Sequence, residues 1–206
     1  MSNVIKELYF SIDIEADDKI PGRGSMVALG AVVAGYRTSD GEIVKLDPAT
    51  PQNGFYAEIR PISDEWNDTA LAIGGFTREY IMKHGEAPEI SMTNFVKWVN
   101  SQISYHNAEP IFIAFPLGYD WMWTYWYMEM FTEDGSPFGH GRHADVKTLY
   151  AAKANALFSQ SGKSRIPQEL HSSLPHTHNA RDDAAEQGEL FMNILLWKND
   201  DEKAGN

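Results

Sequence analysis

The stretch that decides the fold is residues 8–16, which read Leu-Tyr-Phe-Ser-Ile-Asp-Ile-Glu-Ala. Its apolar residues alternate with others as in a β-strand, where successive side chains point to opposite faces. Asp13 and Glu15 therefore share one face, about 7 Å apart along the strand. Two buried anions repel each other and lose hydration, so the pair is costly unless a cation or hydrogen bonds compensate. The pattern predicts a hard divalent metal; an edge strand whose carboxylates face water fits the same residues.

The composition is that of a globular protein. Of the 206 residues, 43% are apolar and 12% aromatic, more than a disordered chain of this charge carries. The length suits one large domain over residues 1–206, with a solvated tail from about residue 198. The chain has no cysteine, which fits a reducing compartment but is also common in secreted proteins. Residues 1–7 contain no apolar signal segment, and no window reaches about 18 apolar residues. We expect a cytoplasmic protein without membrane contact.

The charge restricts the kind of partner. The chain has 17 basic and 29 acidic residues, which gives a net charge of −12. A broad surface that grips the phosphates of a long duplex needs the opposite sign. A short or single-stranded nucleic acid remains possible.

The order of predicted elements is that of an α/β protein. Strands at 8–16, 25–35 and 54–60 form an antiparallel meander of three strands. A short apolar strand at 111–115 and another short strand at 143–146 follow. Helices cover 77–85, 90–103, 121–131, the segment ending at 157, and 180–197. This order predicts a mixed sheet flanked by helices.

Residues 121–131 form a helix that is apolar around most of its circumference, because only Thr124 and Glu129 are clearly polar. One buried face cannot cover all of these side chains. The helix is either wedged deep in the core, or part of it forms a subunit interface or a base-stacking surface. A homodimer is therefore one possible assembly.

Acidic residues occur at the end of the first strand, after the fourth strand and on the last helix, and these places converge in an α/β fold. They lie in three motifs: Asp13-Ile14-Glu15, then Asp120 in Pro-Leu-Gly-Tyr-Asp, and then His178-Asn179-Ala180-Arg181-Asp182-Asp183. In the order and spacing of these motifs the chain resembles the DEDDh 3′-5′ exonucleases, the ribonuclease-H-like group that includes proofreading domains, ribonuclease T and oligoribonuclease. The resemblance spans roughly residues 9–197.

The resemblance implies a ribonuclease-H-like mixed sheet and a set of site residues. Asp13, Glu15, Asp120 and Asp183 would bind two divalent cations, Mg²⁺ or Mn²⁺, about 3.5 to 4 Å apart. His178 would be the general base, a role that histidine suits because this residue type exchanges protons near neutral pH. The implied reaction releases nucleoside 5′-monophosphates from the 3′ end of single-stranded or 3′-overhanging RNA or DNA.

The third motif requires a separation of five residues, which selects His178 and Asp183 and leaves His176 and Asp182 outside it. Asn179 is a plausible N-cap for the last helix, and Asp145 is predicted to cap the helix that follows it. The second motif departs from many relatives, because residues 114–118 contain no asparagine. This difference concerns substrate contacts more than metal binding.

Two other functions remain open from the sequence. The chain could be a catalytically silent ribonuclease-H-like module that binds nucleic acid or supports assembly, although all five motif positions are filled. It could also be a metal-dependent phosphatase that acts on small phosphoesters.

Overall fold

A six-stranded mixed sheet forms the centre of the computed structural model, which describes residues 5–198. The strands are β1 (Ile5–Ala16), β2 (Met26–Thr38), β3 (Ile43–Lys45), β4 (Gly54–Glu58), β5 (Glu109–Ala114) and β6 (His143–Asp145). The predicted tail falls mainly on residues 199–206, which lie outside the described residues. The predicted α/β class with a mixed sheet is confirmed.

The strand β1 lies inside the sheet. It is antiparallel to β2 and parallel to β5, and β5 is in turn parallel to β6. Both β3 and β4 pair with β2 in antiparallel fashion. The alternative that β1 is an edge strand is therefore wrong. The strand β3 is not predicted, because three residues are too few to show an alternating pattern.

Helices cover both faces of the sheet. They are α1 (Asp68–Ile73), α2 (Arg78–His84), α3 (Pro88–His106), α4 (Leu117–Phe131), α5 (Val146–Ala154) and α6 (Ala180–Leu196). Helices α3 and α4 pack on one core cluster, and α5 and α6 pack on the other. Among residues 5–198, no helix combines the length and hydropathy that a bilayer span requires.

The alternation along β1 directs its side chains to opposite faces as predicted, and the two faces belong to different core clusters. Leu8, Phe10 and Ile12 lie in the core under α3 and α4, whereas Tyr9 lies in the core under α5 and α6. The face that carries Asp13 is thus the face on which α6 packs.

Capping residues define the helix ends that position the site. The side chain of Asn179 accepts hydrogen bonds from two backbone N–H groups in the first turn of α6, as predicted. Asp145 caps α5 through Thr148 N–H, which is also confirmed. Helix α4 begins at Leu117, four residues earlier than predicted, because Pro116 ends the strand and the next residues already form a helical turn. Asp120 therefore lies in the first turn of α4.

The apolar helix α4 is partly wedged into the core. Trp123, Tyr127 and Met128 are buried, whereas Trp121 and Tyr125 are half-buried. The Tyr127 hydroxyl accepts a hydrogen bond of 2.7 Å from the backbone N–H of Met26. The core interpretation thus holds for one side of the helix.

Candidate active site

The site lies where β1 extends beyond its parallel neighbour. The pairing of β1 with β5 ends at Ser11, whereas the pairing with β2 continues through Asp13 and Glu15. Both carboxylates therefore project beyond the carboxyl end of β5. The crevice outside the carboxyl ends of parallel strands is the usual place for ligands in open α/β sheets.

Helix α6 brings a third carboxylate to this crevice. The oxygens of Asp183 accept hydrogen bonds from the backbone N–H groups of Thr177 at 2.8 Å and His178 at 3.0 Å. Carboxylate oxygens of Asp13, Glu15 and Asp183 lie within 4.8 Å of one another. The structure thus brings together three of the four predicted metal ligands.

The approach of α6 to the sheet depends on Gly30, which lies opposite Asp13 on β2. A Cβ atom at this position would collide with the backbone of Ala180 and Arg181 at the start of α6. Only glycine lets the helix come this close. The close packing holds Asp183 against β1.

The fourth predicted ligand, Asp120, reaches the strand from the other side. It is buried, and its Oδ1 accepts a hydrogen bond of 3.1 Å from the backbone N–H of Ile14. Ile14 separates Asp13 from Glu15 in the sequence, so Asp120 lies next to both residues. Asp120 does not belong to the cluster of three whose oxygens lie within 4.8 Å.

These carboxylates interact strongly through their charges. Burial raises the pKa of Asp13 well above its ordinary value, and the charges of Asp120, Glu15 and Asp183 raise it further. The pKa of Glu15 is raised to about 7 by burial and then by the charge of Asp183. Burial also raises the pKa of Asp120 to about 7, although the hydrogen bond from Ile14 N–H opposes this shift. When these carboxylates are ionised, the positive charge near them is therefore too small to compensate for their mutual repulsion and lost hydration.

A divalent cation fits this set of donors. Among residues 5–198, Lys163 is the one cationic side chain that lowers the pKa of Asp13, and its amine is already paired with Glu186. The cluster offers only carboxylate oxygens, which hard cations such as Mg²⁺ and Mn²⁺ prefer over softer metals. The residues present thus fit the cations that the motifs imply.

We expect the metal-free protein to lose stability as the pH rises. The pKa of Glu15 and that of Asp120 are higher in the folded chain than their ordinary values of 4.5 and 3.8. The folded state therefore binds more protons, and the free energy of unfolding decreases from about pH 4.5 to about pH 7. Urea unfolding with a chelator at several pH values measures this slope. The Glu15→Gln variant should have a flatter slope, and an equally steep one would contradict the explanation.

Two histidines lie beside Asp183. His178 is exposed and has a left-handed backbone with φ of 59°, which directs its N–H to the Asp183 carboxylate. The Nδ1 atom of His176 lies 3.1 Å from Asp183 Oδ1. The expected surface position of His176 is correct, since its side chain is 52% exposed, but its contact with Asp183 was missed. The alternating His-x-His spacing ahead of the motif was the available signal.

Gln187 is a buried polar residue beside the site that the sequence interpretation also missed. It is buried on α6, and its Nε2 donates to Ser11 Oγ at 3.0 Å and to the Ile12 carbonyl at 3.1 Å. Its Oε1 accepts from the backbone N–H of Phe115 at 2.7 Å. The side chain thus joins α6 to the ends of β1 and β5, where the carboxylates lie. A polar residue on the buried stripe of α6 was the signal.

Asp145 has a second contact besides its predicted cap. Its other oxygen accepts a hydrogen bond of 3.4 Å from Leu117 N–H, the first residue of α4. The carboxylate therefore links the starts of α4 and α5 and helps to hold the turn that carries Asp120.

Aromatic side chains surround the carboxylates. Tyr56, Tyr80 and Tyr119 are each more than a third exposed. Partial burial is the main cause that raises the pKa of Tyr56 and of Tyr119, and the charge of Glu15 makes a smaller contribution to both shifts. On the same side, a Cβ atom at Gly74 would press on the Glu15 carboxylate. The rim of the crevice is thus formed by these tyrosine rings and by the backbone at Gly74.

The chain is similar to 3′-5′ exonucleases in sequence and, in fold, to a DEDDh family member, so the resemblance that the three motifs predicted is confirmed. No protein-family model matches the chain. The chain is similar to the 3′-5′ DNA exonuclease Cap18 of Escherichia coli, with 28% identity over 189 residues, 92% of each chain.

Solved structures show the same fold. The nuclease domain of 3′hExo, a DEDDh family member bound to rAMP, matches with a TM-score of 0.64 at 12% identity over 91% of each chain. Cell-death related nuclease 4 (CRN-4) matches with a TM-score of 0.61 at 11% identity over 92% of this chain and 64% of the other. E. coli Exonuclease I in complex with a dT13 oligonucleotide matches with a TM-score of 0.51 at 12% identity over 93% of this chain and 40% of the other. The predicted ribonuclease-H-like fold is therefore confirmed.

Proposed function

We propose that this protein is a metal-dependent 3′-5′ exonuclease that hydrolyses single-stranded or short nucleic acid to nucleoside 5′-monophosphates. The observation that carries the proposal is the convergence of the Asp13, Glu15 and Asp183 oxygens within 4.8 Å. Asp120 lies beside them through its bond to Ile14 N–H. The likeness to an exonuclease over 92% of the chain supports the same conclusion.

The four carboxylates would hold two Mg²⁺ or Mn²⁺ ions. When bound, such ions lower the pKa of water and stabilise the charge that develops on the leaving 3′ oxygen. Asp183 is held in place by two backbone N–H groups, and Asp120 by one. These hydrogen bonds fix both carboxylates before a cation arrives.

His178 would accept the proton of the attacking water. Its backbone N–H donates a hydrogen bond to Asp183, which places the residue beside the carboxylate cluster, and its side chain is exposed to solvent. A positioned general base of this kind contributes about 10² to 10⁴-fold to the rate. The Tyr56, Tyr80 and Tyr119 rings at the rim would be available to stack the terminal base.

A single strand is the proposed substrate because the chain carries a net charge of −12 and no excess of basic residues for a long duplex. Cap18 is a DNA exonuclease, and the structural relatives include a complex with a dT13 oligonucleotide. Single-stranded DNA is therefore the first substrate to test, with RNA of the same sequence beside it.

The decisive experiment is incubation of the full chain with a 5′-labelled single-stranded oligonucleotide and Mg²⁺. We expect a ladder that shortens from the 3′ end, nucleoside 5′-monophosphates as products, and complete loss of activity with a chelator. A 3′-terminal phosphorothioate should slow the first step. Binding without cleavage would favour the silent module, and cleavage of a chromogenic phosphomonoester at a comparable rate would favour the phosphatase.

We also propose that the outer face of α4 supports a homodimer. Trp121, Met122, Tyr125 and Trp126 remain half-buried there, and Met130 at the end of the helix is 58% exposed. Such a face is more apolar than a monomer usually leaves to water. Light scattering should report a dimer at micromolar concentration, and Met122→Glu should shift it to a monomer. A wild-type monomer at that concentration would contradict this proposal.

A further inference from the structure

A second group of ligand atoms lies beside the carboxylate cluster and shares Asp183 with it. His176, His178 and Asp183 offer two imidazoles and one carboxylate, and their ligand atoms lie within 4.8 Å of one another. We propose that these residues form a transition-metal site of the kind that binds Zn²⁺, and that its occupation inhibits the nuclease. We call it the His-His-Asp site.

The carboxylate of the His-His-Asp site is already oriented. Asp183 is buried, and the backbone N–H groups of Thr177 and His178 hold its oxygens. His176 Nδ1 lies 3.1 Å from Asp183 Oδ1. The rings of His176 and His178 are edge-to-face, with centroids 4.7 Å apart and an interplanar angle of 72°. One fixed carboxylate thus has two imidazoles on its solvent side.

The two rings have room to close on a metal. A zinc ion about 2.0 to 2.2 Å from each ligand atom holds these atoms roughly 3.3 to 3.6 Å apart. Closing from at most 4.8 Å requires a shift of the rings only. His176 is 52% exposed and His178 is exposed, so rotation of either ring costs little packing. The open side leaves a coordination position for water.

The donor atoms decide which metal each site takes. Two imidazole nitrogens and one carboxylate suit Zn²⁺ and similar transition metals, whereas the Asp13, Glu15 and Asp183 oxygens suit Mg²⁺ or Mn²⁺. The chain thus presents a hard and a softer cation site side by side, with Asp183 common to both.

Inhibition follows from what the His-His-Asp site would engage, and this step rests on the proposed function. A metal bound there takes the imidazole nitrogen of His178 that would accept a proton. It also withdraws Asp183 from the carboxylate cluster. Zinc at micromolar concentration should therefore inhibit hydrolysis that millimolar Mg²⁺ supports.

For the binding experiment, the full chain is stripped of metals and then saturated with Mg²⁺. Zn²⁺ is titrated into this protein and its binding is followed by calorimetry. Co²⁺ is titrated in a separate sample as an optical probe of the same site. We expect one site per chain, with affinity at least about tenfold lower in His176→Ala. His140→Ala is the matched control, because His140 is exposed and belongs to no described ligand cluster. Circular dichroism verifies that each variant is folded. Wild-type affinity in His176→Ala would overturn the proposal.

A second variant separates the two metal sites. Glu15 belongs to the carboxylate cluster but not to the His-His-Asp site. Glu15→Gln should weaken Mg²⁺ binding and keep the zinc affinity within a few-fold of wild type. Parallel loss of both metals in Glu15→Gln would show that zinc binds the carboxylates, and would overturn the proposal.

The activity arm measures zinc inhibition of Mg²⁺-supported nucleotide release, with each variant compared to its own zinc-free rate. Zinc should lower the rate of nucleotide release at least tenfold in the wild type and in His140→Ala. The same decrease in His176→Ala should require at least tenfold more zinc. Zinc binding without inhibition would overturn the inhibitory role. If no variant releases nucleotides, the proposed function fails while the calorimetric result still decides the metal site.

Discussion

Alanine at Asp13, Glu15, Asp120 or Asp183 should abolish exonuclease activity, with a loss of at least about 10³-fold, while the fold remains intact. Each variant would remove one oxygen ligand from the proposed cation site, and metal stabilisation of such a reaction is worth several kcal/mol. Release of nucleotides from a labelled oligonucleotide measures the effect. Substantial activity in any one variant would remove that residue from the site.

The free energy of unfolding of the metal-free protein should differ between two pairs of these variants. Asp13→Ala and Glu15→Ala should leave the metal-free protein as stable as the wild type or more so, because each removes a poorly compensated anion. Asp120→Ala and Asp183→Ala also remove acceptors for backbone N–H groups, so their gain should be smaller.

The matched control for this series is Asp182→Asn. Asp182 is adjacent to Asp183 and exposed, and it lies outside the carboxylate cluster. Its nuclease activity should remain within a few-fold of wild type. An inactive Asp182→Asn with normal Asp183→Asn activity would mean that the third motif is misaligned.

His178→Ala should lower turnover by about 10² to 10⁴-fold, the usual contribution of a general base. Oligonucleotide and Mg²⁺ binding should largely survive, because the residue supplies its backbone N–H, not its ring, to Asp183. Single-turnover kinetics separates turnover from binding, which fluorescence anisotropy of a labelled oligonucleotide measures. Loss of binding in step with loss of turnover would argue for a structural role.

His176→Ala tests the assignment against its neighbour. His176 contacts Asp183 through its Nδ1 atom. Loss of a polar contact worth about 1.4 kcal/mol lowers a reaction rate by about tenfold. We therefore expect a loss of less than about tenfold in this variant. A larger loss than in His178→Ala would transfer the general base to His176 and reopen the assignment of Asp183.

The parts of the fold that local pattern determines could be predicted from the sequence. The alternation in β1 predicted that Asp13 and Glu15 share one face, and the apolar residues that alternate with them lie in the core on the other face. Caps at Asn179 and Asp145 could be predicted because a side chain that binds its own helix needs only local sequence.

Contacts between distant elements could not be predicted in this way. The link from Asp145 to Leu117 and the contact between His176 and Asp183 depend on how elements pack. The first joins two helix starts across the sheet edge, and the second depends on the path of a loop that has no periodic pattern. The spacing of the third motif identified His178 but gave no information on where the neighbouring ring points.

The side chain of Gln187 ties α6 to strands whose partner residues lie up to 176 positions earlier in the chain. Ribosomes therefore make the whole sheet before they make the helix that completes the cluster. A growing chain in which α6 has not yet been made contains Asp13, Glu15 and Asp120 but lacks Asp183. If the finished protein is a nuclease, the nascent chain therefore lacks a complete active site, and cannot cleave nucleic acid, until α6 has left the ribosome and packed on the sheet.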